Sequence, residues 1–264
     1  MNTRKIGFGI LVAILFLLPY AQEPWWEYFH SSLVLVLLFR AIGGPGGATR
    51  LGLGMKPLGW VYTCGVFLPL FVGAGVLQAG IARSAGISHA WSFFPANVDP
   101  LFQALNEELI LGYVLLWWLV KRLKRPHLSA WILAVFFAAM HLVFYRWIST
   151  LYDSWLTWQA VATLLLVGVC RNYLILLAGH VGYAWAIHGA WNLWFFGGSW
   201  TEHARLGEPE LFNTFLGHPA SMAVTLVLAG ASLLLVAKWG LHGVFLCYSE
   251  HGSARHRPRP ERIN

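Results

Sequence analysis

Apolar residues fall into eight long runs separated by short polar stretches. The runs cover approximately Ile6–Tyr20, Trp25–Ile42, Leu58–Ile81, Pro100–Val120, Leu128–Ile148, Trp158–Leu177, His180–Trp200 and Ser221–Leu241. A helix needs roughly 20 such residues to cross the hydrocarbon of a bilayer. The pattern therefore predicts an all-α, polytopic membrane protein, a bundle of about eight transmembrane helices. The sixth and seventh runs are separated only by a turn near Gly179. The fringe from Gly240 to Tyr248 either extends the last helix or lies at the surface. The first run follows Arg4 and Lys5 but has no small-residue cleavage site behind it, so it reads as a span rather than a signal peptide. No internal repeat is visible, and residues 1–264 read as a single integral membrane domain. The polar, Pro-containing stretch 249–264, "SEHGSARHRPRPERIN", is predicted to be a disordered tail.

Three runs are interrupted by polar groups that are costly in hydrocarbon. The fourth, "FQALNEELILGYVLL", carries Glu107 and Glu108. The fifth, "AVFFAAMHLVFYRW", carries His141 one helical turn after Phe137. The seventh, "AWAIHGAWNLWFF", carries His188 and Asn192. Their i, i+4 spacing puts the last two on one helix face. At about 1.5 Å of rise per residue, Glu107 and His141 each lie roughly 10 Å below one membrane boundary, and Asn192 and His188 about 12 to 18 Å below the same one. Each group alone has a structural explanation: acidic residues in a first helical turn, a packed histidine, polar glue between helices. Two carboxylates, two imidazoles and a carboxamide at one depth point instead to a site. A carboxylate beside a histidine can activate water as a general base. A second histidine and an amide can donate to an oxygen that gains negative charge. Those are the parts needed to hydrolyse a peptide bond. Two histidines and a glutamate could instead hold zinc, although the compact HExxH arrangement is absent.

Composition narrows the picture further. The chain is 58% hydrophobic and 11% charged, with a mean hydropathy of +0.59. A soluble domain carries about 25% charged residues. Fifteen Trp and nine Tyr suit aromatic belts at the two membrane surfaces. The sequence pI near 9.5 does not indicate nucleic acid, because the basic residues sit in connecting segments and in the tail. Of the 18 Lys and Arg, 15 fall on the side of the N-terminus, Arg171 counted among them. Only Arg83, Arg146 and Arg205 fall on the other side. Cytoplasmic loops carry the excess of positive charge, so both termini are expected inside and the polar layer in the outer half of the membrane. Cys64, Cys170 and Cys247 each lie in or beside an apolar run and read as small buried hydrophobes, not as a disulfide framework.

The ordered set Glu107–Glu108, Phe137 with His141, and His188 with Asn192 resembles the CPBP intramembrane proteases, also called the Abi or CAAX-protease-and-bacteriocin-processing family. The family's pattern is EExxxR, FxxxH and HxxxN on three separate spans. The resemblance covers roughly Leu101 to Trp194, with a protease-like core at about 100–200. It implies eight helices around a membrane cavity, Glu107 activating water with His141, and His188 with Asn192 forming an oxyanion site. It also implies a glutamate-activated water with no obligatory cofactor. If zinc is bound instead, Glu107, His141 and His188 are its ligands. One position departs from the pattern: Gly112 stands where the family has arginine. Glu108 is then a neutral acid, or is met by Arg146, or the chain has lost catalysis.

The sequence thus predicts an intramembrane endopeptidase that cleaves a membrane-embedded or lipid-anchored peptide or protein, in C-terminal tail processing or CAAX-like maturation. The expected location is a bacterial inner (cell) membrane, and the expected partners are that substrate and the lipid bilayer, not nucleic acid. A non-catalytic membrane binding or immunity protein on the same fold is the alternative. A proton-coupled transporter ranks last, because transporters tend to show inverted repeats.

Overall fold

The computed structural model describes residues 32–37, 52–55, 57–87, 89–90, 99–144, 155–196, 199–200 and 208–246. The first apolar run, most of the second, Arg146, Cys247 and the tail lie outside the described residues. The other six runs form helices. In chain order these begin with α1 (Pro57–Ser84). Next, α2 (Asp99–Glu107) passes through a π-helical stretch (Glu108–Val114) into α3 (Leu115–Leu123). Then come α4 (Pro126–Val143), α5 (Trp158–Ala178) and α6 (Gly182–Phe195). A short α7 (Glu208–Phe215) precedes α8 (Pro219–Trp239) and the single turn α9 (Gly243–Leu246). Helices α1, α4, α5 and α8 are each long and apolar enough to span a membrane. The chain is an all-helical integral membrane protein. Val76 on α1 and Leu234 on α8 are 70% and 72% exposed, as lipid-facing side chains should be.

Local sequence explains the breaks. Lys124 adopts a left-handed conformation (φ 55°) and Pro126 starts α4, so α3 and α4 turn back on each other over two residues. Gly179, at φ 72°, ends α5. Gly240 ends α8, so the fringe after it is a separate turn and not a continuation. The seventh run stops being helical at Phe195, short of the expected Trp200. Ser199 and Trp200 instead pair antiparallel with Ala90 and His89 (β2 and β1), joining the segments that follow α6 and α1.

Helix α5 is the axis of the bundle, packed between α4 and α8. Gly168 permits the approach of α4, since a Cβ there would stand 2.9 Å from Ala134 Cα. Helix α1 lies along α6, with Gly75 beneath the Trp194 ring. The Trp194 indole N–H donates to Phe71 O at 2.7 Å, and Gln78 Nε2 donates to Trp191 O at 3.1 Å. Helix α2 also lies on α6, where the Trp185 indole N–H donates to Leu101 O at 2.8 Å. The last bond places the helix that carries Glu107 against the helix that carries His188, and the first two place α1 against that same helix.

Beyond the π-helical stretch the bundle is tightly filled. Buried Tyr113 meets buried Phe245 edge-on, with ring centroids 6.1 Å apart. Gly52 (φ 74°) lies on the tyrosine ring, where a Cβ would be 2.5 Å from its Cδ2. The His242 N–H donates to Leu176 O at 2.8 Å and ties the segment before α9 to the end of α5. Of the cysteines, Cys170 is buried as expected, whereas Cys64 is exposed on the outer face of α1.

Candidate active site

Glu107 closes α2 and Glu108 opens the π-helical stretch. A π turn takes in an extra residue and redirects side chains, and such turns recur at functional sites. Here the two neighbours point to opposite sides of one imidazole. His188 Nδ1 lies 2.9 Å from Glu108 Oε1, and His188 Nε2 lies 3.9 Å from Glu107 Oε2. A carboxylate only accepts, so the Nδ1–H is the donor to Glu108.

Glu108 is completely buried and Glu107 nearly so. Glu107 opens onto a cavity of about 900 Å³ that it shares with His141, His188 and Asn192. Most of the remaining wall is apolar, including Leu77 of α1, Phe212 of α7 and Leu228 of α8. His141 donates from Nδ1 to Phe137 O at 2.8 Å, since a carbonyl can only accept. That hydrogen bond goes to its own helix. In the neutral ring, Nε2 then keeps its lone pair. Asn192 sits one turn beyond His188 and is buried in the cavity wall.

The arginine missing at position 112 is replaced in space. Arg171, from the middle of α5, places Nη1 3.4 Å from Glu108 Oε1, and both side chains are buried. It was counted with the inner-loop charges on sequence, and that assignment is wrong: Arg171 is buried inside the bundle. Glu108 is therefore not unpaired: a cation from α5 stands beside it, while the alternative partner Arg146 lies outside the described residues. Gly112 itself is pressed against the carboxylate. A Cβ at that position would stand 2.5 Å from Glu108 Oε2 and 2.9 Å from Ile175 Cδ1.

Phe137 does more than mark a spacing. Its ring lies 4.1 Å from the Arg171 guanidinium carbon, in cation–π geometry. The same ring meets His141 at 4.5 Å and His188 at 6.2 Å, edge-on to both. One aromatic side chain thus separates the ion pair from the cavity and fixes both imidazoles. Phe212, on the unforeseen α7, lies over His141 with centroids 6.4 Å apart. That helix is clipped to the start of α5 by Asn213, which accepts from Thr157 N–H at 2.6 Å and donates to Trp155 O at 2.9 Å.

The family model for Rce1-like proteins, the type II CAAX prenyl endopeptidases, matches residues 89–194. The matched stretch contains Glu107, Glu108, His141, Arg171, His188 and Asn192. The match covers 106 of the 264 residues, so this stretch is similar to a protease family, in agreement with the CPBP pattern of its motifs. No curated protein sequence and no solved structure matches the chain. Among the described residues, no three His, Cys, Asp or Glu side chains gather at metal-binding spacing. His141 and His188 engage their Nδ1 atoms with Phe137 O and Glu108 Oε1.

Proposed function

We propose that the protein is an intramembrane endopeptidase in which Glu107 activates a water molecule against a peptide bond held in the cavity. The observation that carries this reading is the composition of the cavity wall. Glu107, His141, His188 and Asn192 line a space whose other polar groups are Asp99, Gln103, Ser221 and Thr225 and whose remaining wall is largely hydrocarbon. Glu107 takes a proton from the water as it attacks the carbonyl carbon. His141, with its Nε2 directed away from its backbone bond, receives or relays that proton to the leaving amine. His188 Nε2–H and the Asn192 amide donate to the oxygen that becomes negative. Donation to Glu108 and to the oxyanion at once requires a proton on each ring nitrogen of His188. No step is routed through a metal.

The apolar remainder of the wall suits a substrate that is itself membrane-anchored, in C-terminal tail processing or CAAX-like maturation. The charge asymmetry of the connecting segments supports cytoplasmic termini and a cavity in the outer half of a bacterial inner membrane. Moving Arg171 from the inner segments into the bundle leaves 14 of the remaining 17 basic residues on that side, so the asymmetry stands. The test uses the full chain in proteoliposomes with a library of single-span reporter peptides. The parent should cleave a subset and Glu107→Gln none. Equal turnover by the two would remove Glu107 from the mechanism.

A further inference from the structure

We infer that Arg171 is a positioning residue for the catalytic imidazole: it holds Glu108, and Glu108 holds His188 in the one orientation that presents Nε2 to the cavity. The inference rests on the hydrolytic reading above but extends it to a helix that carries none of the three motifs. Three observations support it.

The first is the chain of contacts. Arg171 Nη1 lies 3.4 Å from the same Glu108 oxygen that accepts from His188 Nδ1 at 2.9 Å. Arginine, carboxylate and imidazole are thus in series, and only the imidazole reaches the cavity wall. The second is the balance of charge. Two adjacent carboxylates buried among apolar helices are strongly unfavourable without compensation. The Arg171 guanidinium beside Glu108 supplies one compensating charge. Removing Arg171 would leave Glu108 with no partner but the imidazole, free to draw the ring away from Glu107. The third is the fit of the space. Gly112 supplies neither a charge nor a Cβ, and the Glu108 carboxylate occupies the place where a side chain at 112 would begin. Phe137 closes the other side at 4.1 Å from the guanidinium. The cation has one seat here, and α5 fills it.

Arg171 does not line the large cavity, so it has no contact through which to bind substrate there. Its loss should therefore lower kcat and leave KM within about twofold. A small misplacement of a reacting group can cost on the order of 100-fold in rate, which is the drop expected for Arg171→Met. Arg171→Lys keeps the charge but loses the planar stack on Phe137 and should fall between the two.

The deciding measurement does not depend on turnover. In the detergent-solubilised full chain, the ¹⁵N spectrum of the histidines, subtracted against His188→Gln, reports which His188 nitrogen carries its proton. The parent and Arg171→Lys should show a fixed Nδ1–H. Arg171→Met should show exchange between tautomers. An unchanged His188 spectrum in Arg171→Met overturns the inference, whether or not any substrate is cleaved. Because Arg171→Met leaves a buried charge and risks misfolding, Arg171→Met with Glu108→Gln is measured beside it. That double variant should regain the thermal unfolding temperature of the parent while kcat stays low. Recovery of both would make Arg171 a purely structural counter-charge. A parent that cleaves nothing while the tautomer still follows Arg171 would sink the hydrolytic reading and leave the positioning role standing.

Discussion

The two sides of the His188 ring are built from different materials. On the Nδ1 side lie Glu108, Arg171 and the face of Phe137, all buried and without any share of the large cavity apart from the phenylalanine. On the Nε2 side lie Glu107, His141 and Asn192, all in the cavity wall. Adjacent glutamates belong to opposite sides because the π-helical stretch begins between them. The difference separates two tasks that the sequence presents as one dipeptide. One carboxylate is kept for chemistry and must meet water. The other is kept for orientation and must not.

If that division is right, the largest effect belongs to Glu107→Gln. It keeps the shape of the side chain, removes the base, and should lower cleavage by more than about 1,000-fold with little change in thermal unfolding. The reverse pattern is expected of Glu108→Gln. It leaves Arg171 buried without its counter-charge, so unfolding in detergent should show a loss of about 3–5 kcal/mol. Cleavage should remain measurable, because the amide oxygen still accepts from Nδ1–H. If Glu108→Gln abolishes cleavage while Glu107→Gln spares it, the two roles are exchanged. Phe137→Leu tests the partition between the sides. It removes the ring that meets Arg171, His141 and His188, and should cost roughly 1–3 kcal/mol in stability with about tenfold in rate. Chelation of metal during the proteoliposome assay should leave the rate unchanged, and loss of activity that zinc restores would return Glu107, His141 and His188 to the role of ligands. The smallest effect belongs to the lipid face: Val76→Ala on α1 should change neither quantity by more than about 0.5 kcal/mol.

Much of this arrangement was legible in the sequence, and the parts that were not have physical reasons. The helices came from hydrophobic runs long enough to span a bilayer, and the break between α5 and α6 from the turn at Gly179. The helical pairing i, i+4 placed His188 and Asn192 on one face. The π-helical stretch was not legible, because nothing in "ELILGYV" departs from an ordinary apolar helix; its only mark is the tertiary environment of Glu108. Arg171 was legible in part. It is followed by seven more helical residues, so about 10 Å of helix separates it from the end of α5. An arginine that deep in an apolar helix calls for a buried partner. Which partner could not be read, since α5 and the π-helical stretch are linked only through the fold. Helix α7 was missed because eight residues that open with Glu208, Pro209 and Glu210 resemble a loop, and its cover over His141 comes from where α5 holds it.

The pair of rings formed by Tyr113 and Phe245, packed on Gly52, has a consequence for the cell rather than for the peptide bond. A layer of carboxylates and histidines within a bilayer is a potential wire for protons, and a wire open at both ends would discharge the electrochemical gradient on which the cell depends. The packed rings of Tyr113 and Phe245 interrupt it. Vesicles that contain the protein should hold an imposed pH difference as well as empty ones, and a Tyr113→Ala variant should let it decay.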